Sequence, residues 1–152
     1  LKIWFVGEAY QPYLDKLNKT MKDLDPKQEF VFYLGDRPHK QISNLHFQAD
    51  LFVFASSCET FGISLLEAMA AAMPIACSDR GPMPEVLQDA GLYFDPEQPE
   101  SIAACLKLLI QDETLCQTLG RKANSLSQKY SWENCAQDTF SFLQSVYQCH
   151  FL

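Results

Sequence analysis

Two glutamates, Glu59 and Glu67, carry the only charges in a largely apolar stretch, residues 51–78. The stretch predicts a buried strand at 51–55, a polar loop, a helix at 62–73 and a second strand at 74–78. Because this helix is apolar on every side apart from Glu67, we expect it to be buried. A buried carboxylate is costly unless hydrogen-bond donors meet it. No Lys or Arg lies between Gln41 and Asp79, so the hydroxyl groups of a ligand are favoured over a neighbouring cation.

Glu59 belongs to the loop that precedes this helix. The N–H groups at the start of a helix and the positive end of its dipole attract an anion. The candidate N–H donors are those of Phe61, Gly62, Ile63 and Ser64. Ligands of parallel α/β sheets bind at the carboxyl ends of the strands, where this loop is expected to lie. The alternatives are that Glu59 is only a favourable charge at a helix start, and that Glu67 is an exposed or internally paired carboxylate.

The composition indicates one soluble globular domain. The chain has 152 residues, is 47% hydrophobic and has a formal net charge of −7. The acidic balance and scattered Lys and Arg argue against a nucleic-acid surface. No apolar run is long enough to cross a bilayer, and no signal-peptide pattern opens the chain. These features favour a cytoplasmic protein.

The six cysteines show none of the short spacings of a metal site. Several lie in apolar segments, so buried free thiols in a reducing cytosol are favoured over disulfides. Cys58 adjoins Glu59, but a packing role is favoured over chemistry. The three histidines are too far apart in sequence to suggest a metal cluster.

The remaining elements alternate between strands and helices. A buried parallel strand is predicted at 1–7 and a further strand at 29–35, with helices at 11–24 and 40–49. After the central stretch follow a short helix at 84–88, a strand at 91–94, and helices at 99–111, 112–129 and 131–148. Asp112 and Ser131 are plausible N-caps. This alternation predicts an α/β fold, with a Rossmann-like parallel sheet flanked by helices.

Residues 59–70, ETFGISLLEAMA, resemble the signature of two Glu separated by seven residues in retaining glycosyltransferases of family 4, which have the GT-B fold. The resemblance continues through 73–79, 84–86, 91–96 and 131–133, and so covers nearly the whole chain. An ordered series of matches is much more specific than two glutamates alone. The sequence departs from the family pattern at Ala55, where Pro is frequent, at Ala72, where Gly is usual, and at 80–82, where Gly-Gly is frequent.

The resemblance implies a role for each candidate residue. Glu67 would hold the ribose hydroxyls of a nucleotide-sugar donor, and Glu59 would be the catalytic residue beside the transferred sugar. The N–H groups of residues 61–64 would face the sugar and the diphosphate. Asp36 and Arg37, which follow a predicted strand, would border the nucleobase unless they form a plain surface turn. Arg80 would reach a phosphate unless it is a solvated loop residue.

The resemblance also implies the reaction and the domain organisation. The enzyme would transfer a sugar from a nucleotide diphosphate donor to an acceptor hydroxyl, with retention and without a metal or other cofactor. Residues 1–152 would be a single donor-binding domain, the C-terminal half of a GT-B fold. The acceptor-binding domain, and the first strand and helix of this domain, would precede Leu1, and any membrane association would come from those parts. The chain alone would be inactive.

Two other functions remain open. A nucleotide-sugar epimerase shares the GT-B architecture. A non-catalytic, doubly wound binding or regulatory domain would instead carry surface carboxylates around a divalent ion or a protein partner. The last helix would pack on the acceptor domain or, alternatively, only on its own sheet. Its apolar candidates for that contact are Trp132, Phe140, Phe142, Leu143 and Tyr147.

Overall fold

The computed structural model describes residues 1–151, which form two compact units, Leu1–Leu45 and a second unit from His46 onward. The first unit contains β1 (Ile3–Val6), α1 (Gln11–Leu24) and β2 (Val31–Gly35), and α2 (His39–Gln48) spans the boundary. The second contains β3 (Phe52–Phe54), α3 (Ile63–Ala70), β4 (Ile75–Ser78), α4 (Met83–Leu87), β5 (Leu92–Phe94), α5 (Pro99–Gln111), α6 (Glu113–Ser127) and α7 (Trp132–Phe151). Every predicted helix and strand is present, with some ends shifted by a few residues.

Strands β1 and β2 of the first unit pair in parallel, with Ile3 opposite Val31. The sequence predicted a buried β1, and this prediction is wrong: Ile3 is 40% exposed and Phe5 is 43% exposed. The reason is that β1 belongs to a sheet of two strands, and neither α1 nor α2 contains a buried residue. The apolar side chains of β1 therefore stay partly exposed.

The turn from α1 to β2 is organised by Asp25, which is only 2% exposed. Its Oδ1 accepts a hydrogen bond from the N–H of Glu29, and its Oδ2 accepts from Phe30 and Val31, each at 2.9 Å. The N–H of Asp25 itself donates to the Met21 carbonyl at 2.7 Å, at the end of α1. One carboxylate thus satisfies the backbone donors that lead into β2.

An Asp25→Asn variant is expected to be less stable at neutral pH. Burial alone would raise the pKa of Asp25, but hydrogen bonds from backbone N–H groups hold its pKa below the ordinary 3.8. A lowered folded-state pKa stabilises the protein above the unfolded value, and this contribution is lost as pH falls through the folded value. We expect the melting temperature to fall by about 5 °C at pH 7, and the difference from wild type to narrow below pH 4.

Thermal unfolding followed by circular dichroism across this pH range checks the prediction. Asp23→Asn is the matched control, because Asp23 is exposed on α1. Equal melting temperatures for the two variants at pH 7 would contradict the role assigned to Asp25.

The second unit is built on a parallel sheet with the strand order β3-β4-β5. The central strand β4 is buried along its whole length. The predicted burial of β3 is wrong, because β3 lies at the edge of the sheet and its Val53 is 39% exposed. The alternate side chains of β4 point to opposite faces: Ile75 and Cys77 pack with α3 and α4, whereas Ala76 packs with α5. Helices therefore cover both faces of this sheet. The parallel pairing was predicted, but the described strands form two separate sheets, one in each unit.

Helix α3 buries one face only, which corrects the expectation that it is buried on every side. Leu65, Ala68 and Met69 are completely buried, whereas Ile63 is 63% exposed. The buried face packs against α4 and α6, and no described element covers the opposite face to the same extent. Apolar composition predicted that α3 packs, but it could not show which face lacks a neighbour.

Helix α7 is exposed at every residue from Trp132 to His150. Packing of α7 only on its own sheet is therefore excluded for these residues, and packing on another domain stays a prediction. No helix within residues 1–151 is both long enough and apolar enough to span a bilayer.

The cysteines are less uniformly buried than predicted. Cys77 and Cys105 are buried, and burial raises the pKa of the Cys77 thiol to about 12. Cys58, Cys135 and Cys149 are exposed, so the predicted burial is wrong for them. The reason is their position, because Cys58 lies in an open loop and the other two lie on α7.

Candidate functional site

The candidate site lies where β3 and β4 end, at the carboxyl edge of the second unit's sheet. The 55–62 loop joins β3 to α3, and the 79–82 loop joins β4 to α4. The two loops approach each other near Glu59. A β-carbon added at Gly81 would lie 3.6 Å from the Glu59 carbonyl oxygen and 3.9 Å from the Glu59 nitrogen. The parallel topology therefore brings both loops to one edge, as expected for a ligand site in this class of fold.

Gly62 is the N-cap residue of α3. It has a left-handed backbone conformation (φ 86°, ψ 60°), and a β-carbon there would lie 3.4 Å from Cε1 of Phe54. The Gly62 carbonyl accepts the N–H groups of Leu65 and Leu66. The N-cap makes no side-chain hydrogen bond, and the first turn has no acidic residue. This helix start is therefore suited to an anion supplied by a ligand.

Glu67 lies one helical turn after Ile63, on the same side of α3. It is half-buried, so the exposed face of α3 carries a carboxylate beside an apolar side chain. Glu59 is also half-buried, in the loop ahead of the helix. The sequence predicted Glu59 in the loop ahead of the helix and Glu67 within the helix. The structure places them there, whereas their contact with a ligand stays a prediction.

The other predicted residues of the junction differ in what their side chains do. Ser64 is exposed on the first turn of α3. Phe61 is half-buried, and its ring meets the Tyr130 ring edge-on, with 5.6 Å between centroids. Its side chain therefore packs, which leaves the backbone N–H as the group suited to a ligand. Asp36 and Arg37 lie in the first unit, exposed in the turn between β2 and α2, and their contact with a nucleobase stays a prediction.

Arg80 makes two ion pairs. Its Nη2 lies 2.9 Å from Oδ1 of Asp95, and its Nε lies 3.3 Å from Oδ1 of Asp79. The Asp95 hydrogen bond raises the pKa of Arg80. A hydrogen bond from the Glu97 N–H, and to a smaller extent one from Arg80, holds the pKa of Asp95 below its ordinary value.

This cluster was not predicted, although the sequence contains a signal for it. Asp79 directly follows β4 and Asp95 directly follows β5. Carboxyl ends of neighbouring parallel strands meet at one edge, so an Arg beside either aspartate could reach the other.

The charges around the site are mainly negative. The loops that follow β3, β4 and β5 carry Glu59, Asp79, Asp95 and Glu97, with Arg80 as their only basic residue. An anion at the start of α3 would therefore depend on backbone N–H groups and on cations from elsewhere. Within residues 1–151, no group of three or more His, Cys, Asp or Glu is arranged to hold a metal ion.

Comparison with known proteins identifies relatives. The profile of the family described as "Glycosyl transferases group 1" matches residues 1–126. O-antigen chain mannosyltransferase B of Escherichia coli is 30% identical over 133 residues, which are 88% of this chain and 35% of that protein. A sulfoquinovosyl transferase of Arabidopsis thaliana is 26% identical over 136 residues, covering 86% of this chain and 25% of that protein.

A solved structure confirms the fold. The Anabaena protein HepE, crystallised in complex with UDP, superposes with a TM-score of 0.84 at 24% identity, covering 95% of this chain and 41% of that chain. The α/β fold with parallel strands flanked by helices, predicted from the sequence, is thus shared with a known protein. The chain spans well under half the length of each of these three proteins.

Proposed function

Since the chain belongs to the group 1 glycosyl transferases, we propose that it is the donor-binding domain of a sugar-transferring enzyme. The enzyme moves a sugar from a nucleotide diphosphate donor to an acceptor hydroxyl, with retention at the anomeric carbon, as in family 4. The observation that carries the proposal is the start of α3, which has no side-chain cap and stands between two half-buried glutamates.

Each part of the donor meets a different group in this proposal. The diphosphate accepts hydrogen bonds from the first N–H groups of α3, which also stabilise the negative charge that develops when the sugar leaves. Glu67 accepts hydrogen bonds from the ribose hydroxyls. Glu59 lies beside the transferred sugar. The binding of UDP by HepE, which shares this fold, supports a nucleoside diphosphate as the leaving group.

Catalysis in this proposal comes from positioning and electrostatic stabilisation, with no metal or other cofactor held by the chain. The diphosphate brings two or more negative charges, whereas a helix start supplies only about half an elementary charge. The site loops offer Arg80 as their only cation, so further Lys or Arg side chains are required.

We assign these cations to a part of the donor-binding domain outside residues 1–152, and the acceptor pocket to an acceptor-binding domain of the same protein. The greater length of the relatives supports such a domain. The exposed apolar residues of α7, from Trp132 to Tyr147, are the surface that would pack on it. The cytoplasm, where nucleotide sugars are available, is the proposed location.

The test is to mix the intact protein with a panel of nucleotide sugars and to measure release of the nucleoside diphosphate. Release that depends on an acceptor, with a product of unchanged anomeric configuration, is the expected result. Conversion of one nucleotide sugar into its epimer would favour the epimerase. Calorimetry that detects no binding of any nucleotide would favour a non-catalytic domain.

A further inference from the structure

We propose that Arg80 is a positioning residue, whose ion pairs hold the 79–82 loop against the Glu59 peptide and thereby fix the Glu59 carboxylate beside the sugar. The role of Glu59 in this statement rests on the proposed function. The placement of the loop rests on the geometry alone.

The chain that leads into Arg80 is fixed to strand ends. The N–H of Asp79 donates to the Phe94 carbonyl at 3.0 Å, and the N–H of Arg80 donates to Oγ of Ser78 at 3.1 Å. The guanidinium then reaches Asp95 at the end of β5. Arg80 therefore ties the carboxyl ends of β4 and β5 together through its backbone and its side chain.

The next residue, Gly81, transmits this restraint to Glu59. It has a positive φ of 56°, and it lies beside the Glu59 peptide, because a β-carbon added there would be in van der Waals contact with that peptide. Met83, which is completely buried, anchors the other end of the loop. A displacement of the loop would open the space next to Glu59, so the ion pairs of Arg80 restrain a residue that they do not touch.

The same geometry argues against direct contact of Arg80 with the diphosphate. One guanidinium faces two carboxylates, so the cluster carries a net negative charge. Phosphate recognition by Arg uses its fork of N–H donors, and here that fork is already paired with Asp95 and Asp79. A positioning role and a direct phosphate contact predict different effects on nucleoside diphosphate binding when the Asp95 charge is removed.

The test uses Arg80→Gln and Asp95→Asn in the intact enzyme. Asp95→Asn keeps an oxygen for the Glu97 N–H but loses the charge that holds Arg80. Each variant is expected to lower kcat about 10-fold, because small misplacements of reacting groups are costly. The donor KM and the Kd for a nucleoside diphosphate should change by less than about twofold. The reason is that the contacts that bind the donor equally in the ground state and the transition state are unaffected.

Two further variants sharpen the kinetic test. The double variant should be no slower than either single variant, because both break the same contact. Arg80→Lys, which keeps the charge, should recover part of the loss. Lys122→Gln is the matched control: it removes the exposed ion pair with Asp89, at 2.7 Å, and should leave kcat unchanged.

A direct phosphate contact would give a different pattern and would overturn the proposal. Arg80→Gln would then weaken nucleoside diphosphate binding about 10-fold or more, as expected for a lost charge-assisted hydrogen bond. Asp95→Asn would strengthen binding by releasing the guanidinium.

Amide hydrogen exchange of residues 57–61 provides a readout independent of sugar transfer. Exchange should accelerate in Arg80→Gln and in Asp95→Asn, and should be unchanged in Lys122→Gln. Unchanged exchange in the first two variants would overturn the positioning role. If the wild-type protein binds no nucleotide, the proposed function fails, and the exchange measurement still decides whether Arg80 orders the Glu59 segment.

Discussion

Glu67→Gln is expected to weaken donor binding by the intact enzyme about 10- to 100-fold while leaving the fold intact. The proposed partners of this carboxylate are ribose hydroxyls, and a hydrogen bond to a charged group is worth about 1.5–3 kcal/mol, where 1.4 kcal/mol is a factor of ten. Glu67 is half-buried and lies away from the face of α3 that carries Leu65 and Met69. Gln has nearly the same shape, so the melting temperature should change little.

Calorimetry with the nucleoside diphosphate measures this effect, and Glu59→Gln provides the contrast. Because Glu59 is assigned to the sugar, its replacement should preserve nucleoside diphosphate binding and lower turnover. Glu85→Gln, an exposed change on α4, is the control for loss of one negative charge. Unchanged affinity in Glu67→Gln would contradict its role, and equal losses in both glutamate variants would remove the division between ribose and sugar.

Gly120→Ala is expected to destabilise the protein by about 2 kcal/mol or more, as overpacking of a filled site does. Gly120 is buried on α6, and a β-carbon there would overlap the Ala72 carbonyl oxygen. Helix propensity alone predicts that this variant is more stable, because Ala favours the interior of a helix over Gly by about 1 kcal/mol. The overlap should decide the outcome, because the obstructing atom belongs to the backbone and cannot rotate away.

Denaturant unfolding measures the free energy of unfolding of this variant. Arg121→Ala, an exposed substitution next along α6, is the control and should change stability by less than about 0.5 kcal/mol. A Gly120→Ala protein as stable as wild type would show that α6 and the turn after α3 can separate without cost. Their second contact, from Nδ2 of Asn124 to the Ala70 carbonyl at 2.7 Å, would then also be weak.

The helices were predicted well from signals within each segment, such as apolar spacing, a Pro in the first turn and an N-cap residue. The bounds of α1 and α5 agree with prediction because each combines apolar residues at helical spacing with a Pro in its first turn. The cap at Asp112 is confirmed, since its carboxylate accepts the Leu115 N–H at 2.8 Å. Ser131 likewise accepts the Asn134 N–H at 3.1 Å.

Features that depend on contacts between distant segments could not be predicted in this way. Ala72 has a positive φ of 57°, which explains why the family pattern favours Gly there, but Gly120 gives no sequence signal of its contact with this turn. The exposed face of α3 and the open strand β1 were assigned to a core because composition shows that a residue is apolar, and not what lies opposite it. The roles of Glu59 and Glu67 in ligand binding stay predictions.

The uncapped start of α3 links the stability of the site to its occupancy. Where a side chain of the protein satisfies a first-turn N–H group, as Asp112 does for α6, the helix start needs no ligand to complete it. Here the missing acceptor is assigned to the donor's diphosphate, and by mass action a ligand at a hundred times its Kd adds about 2.7 kcal/mol to the folded state. The empty protein should therefore fray at the first turn of α3, and the substrate itself completes the helix.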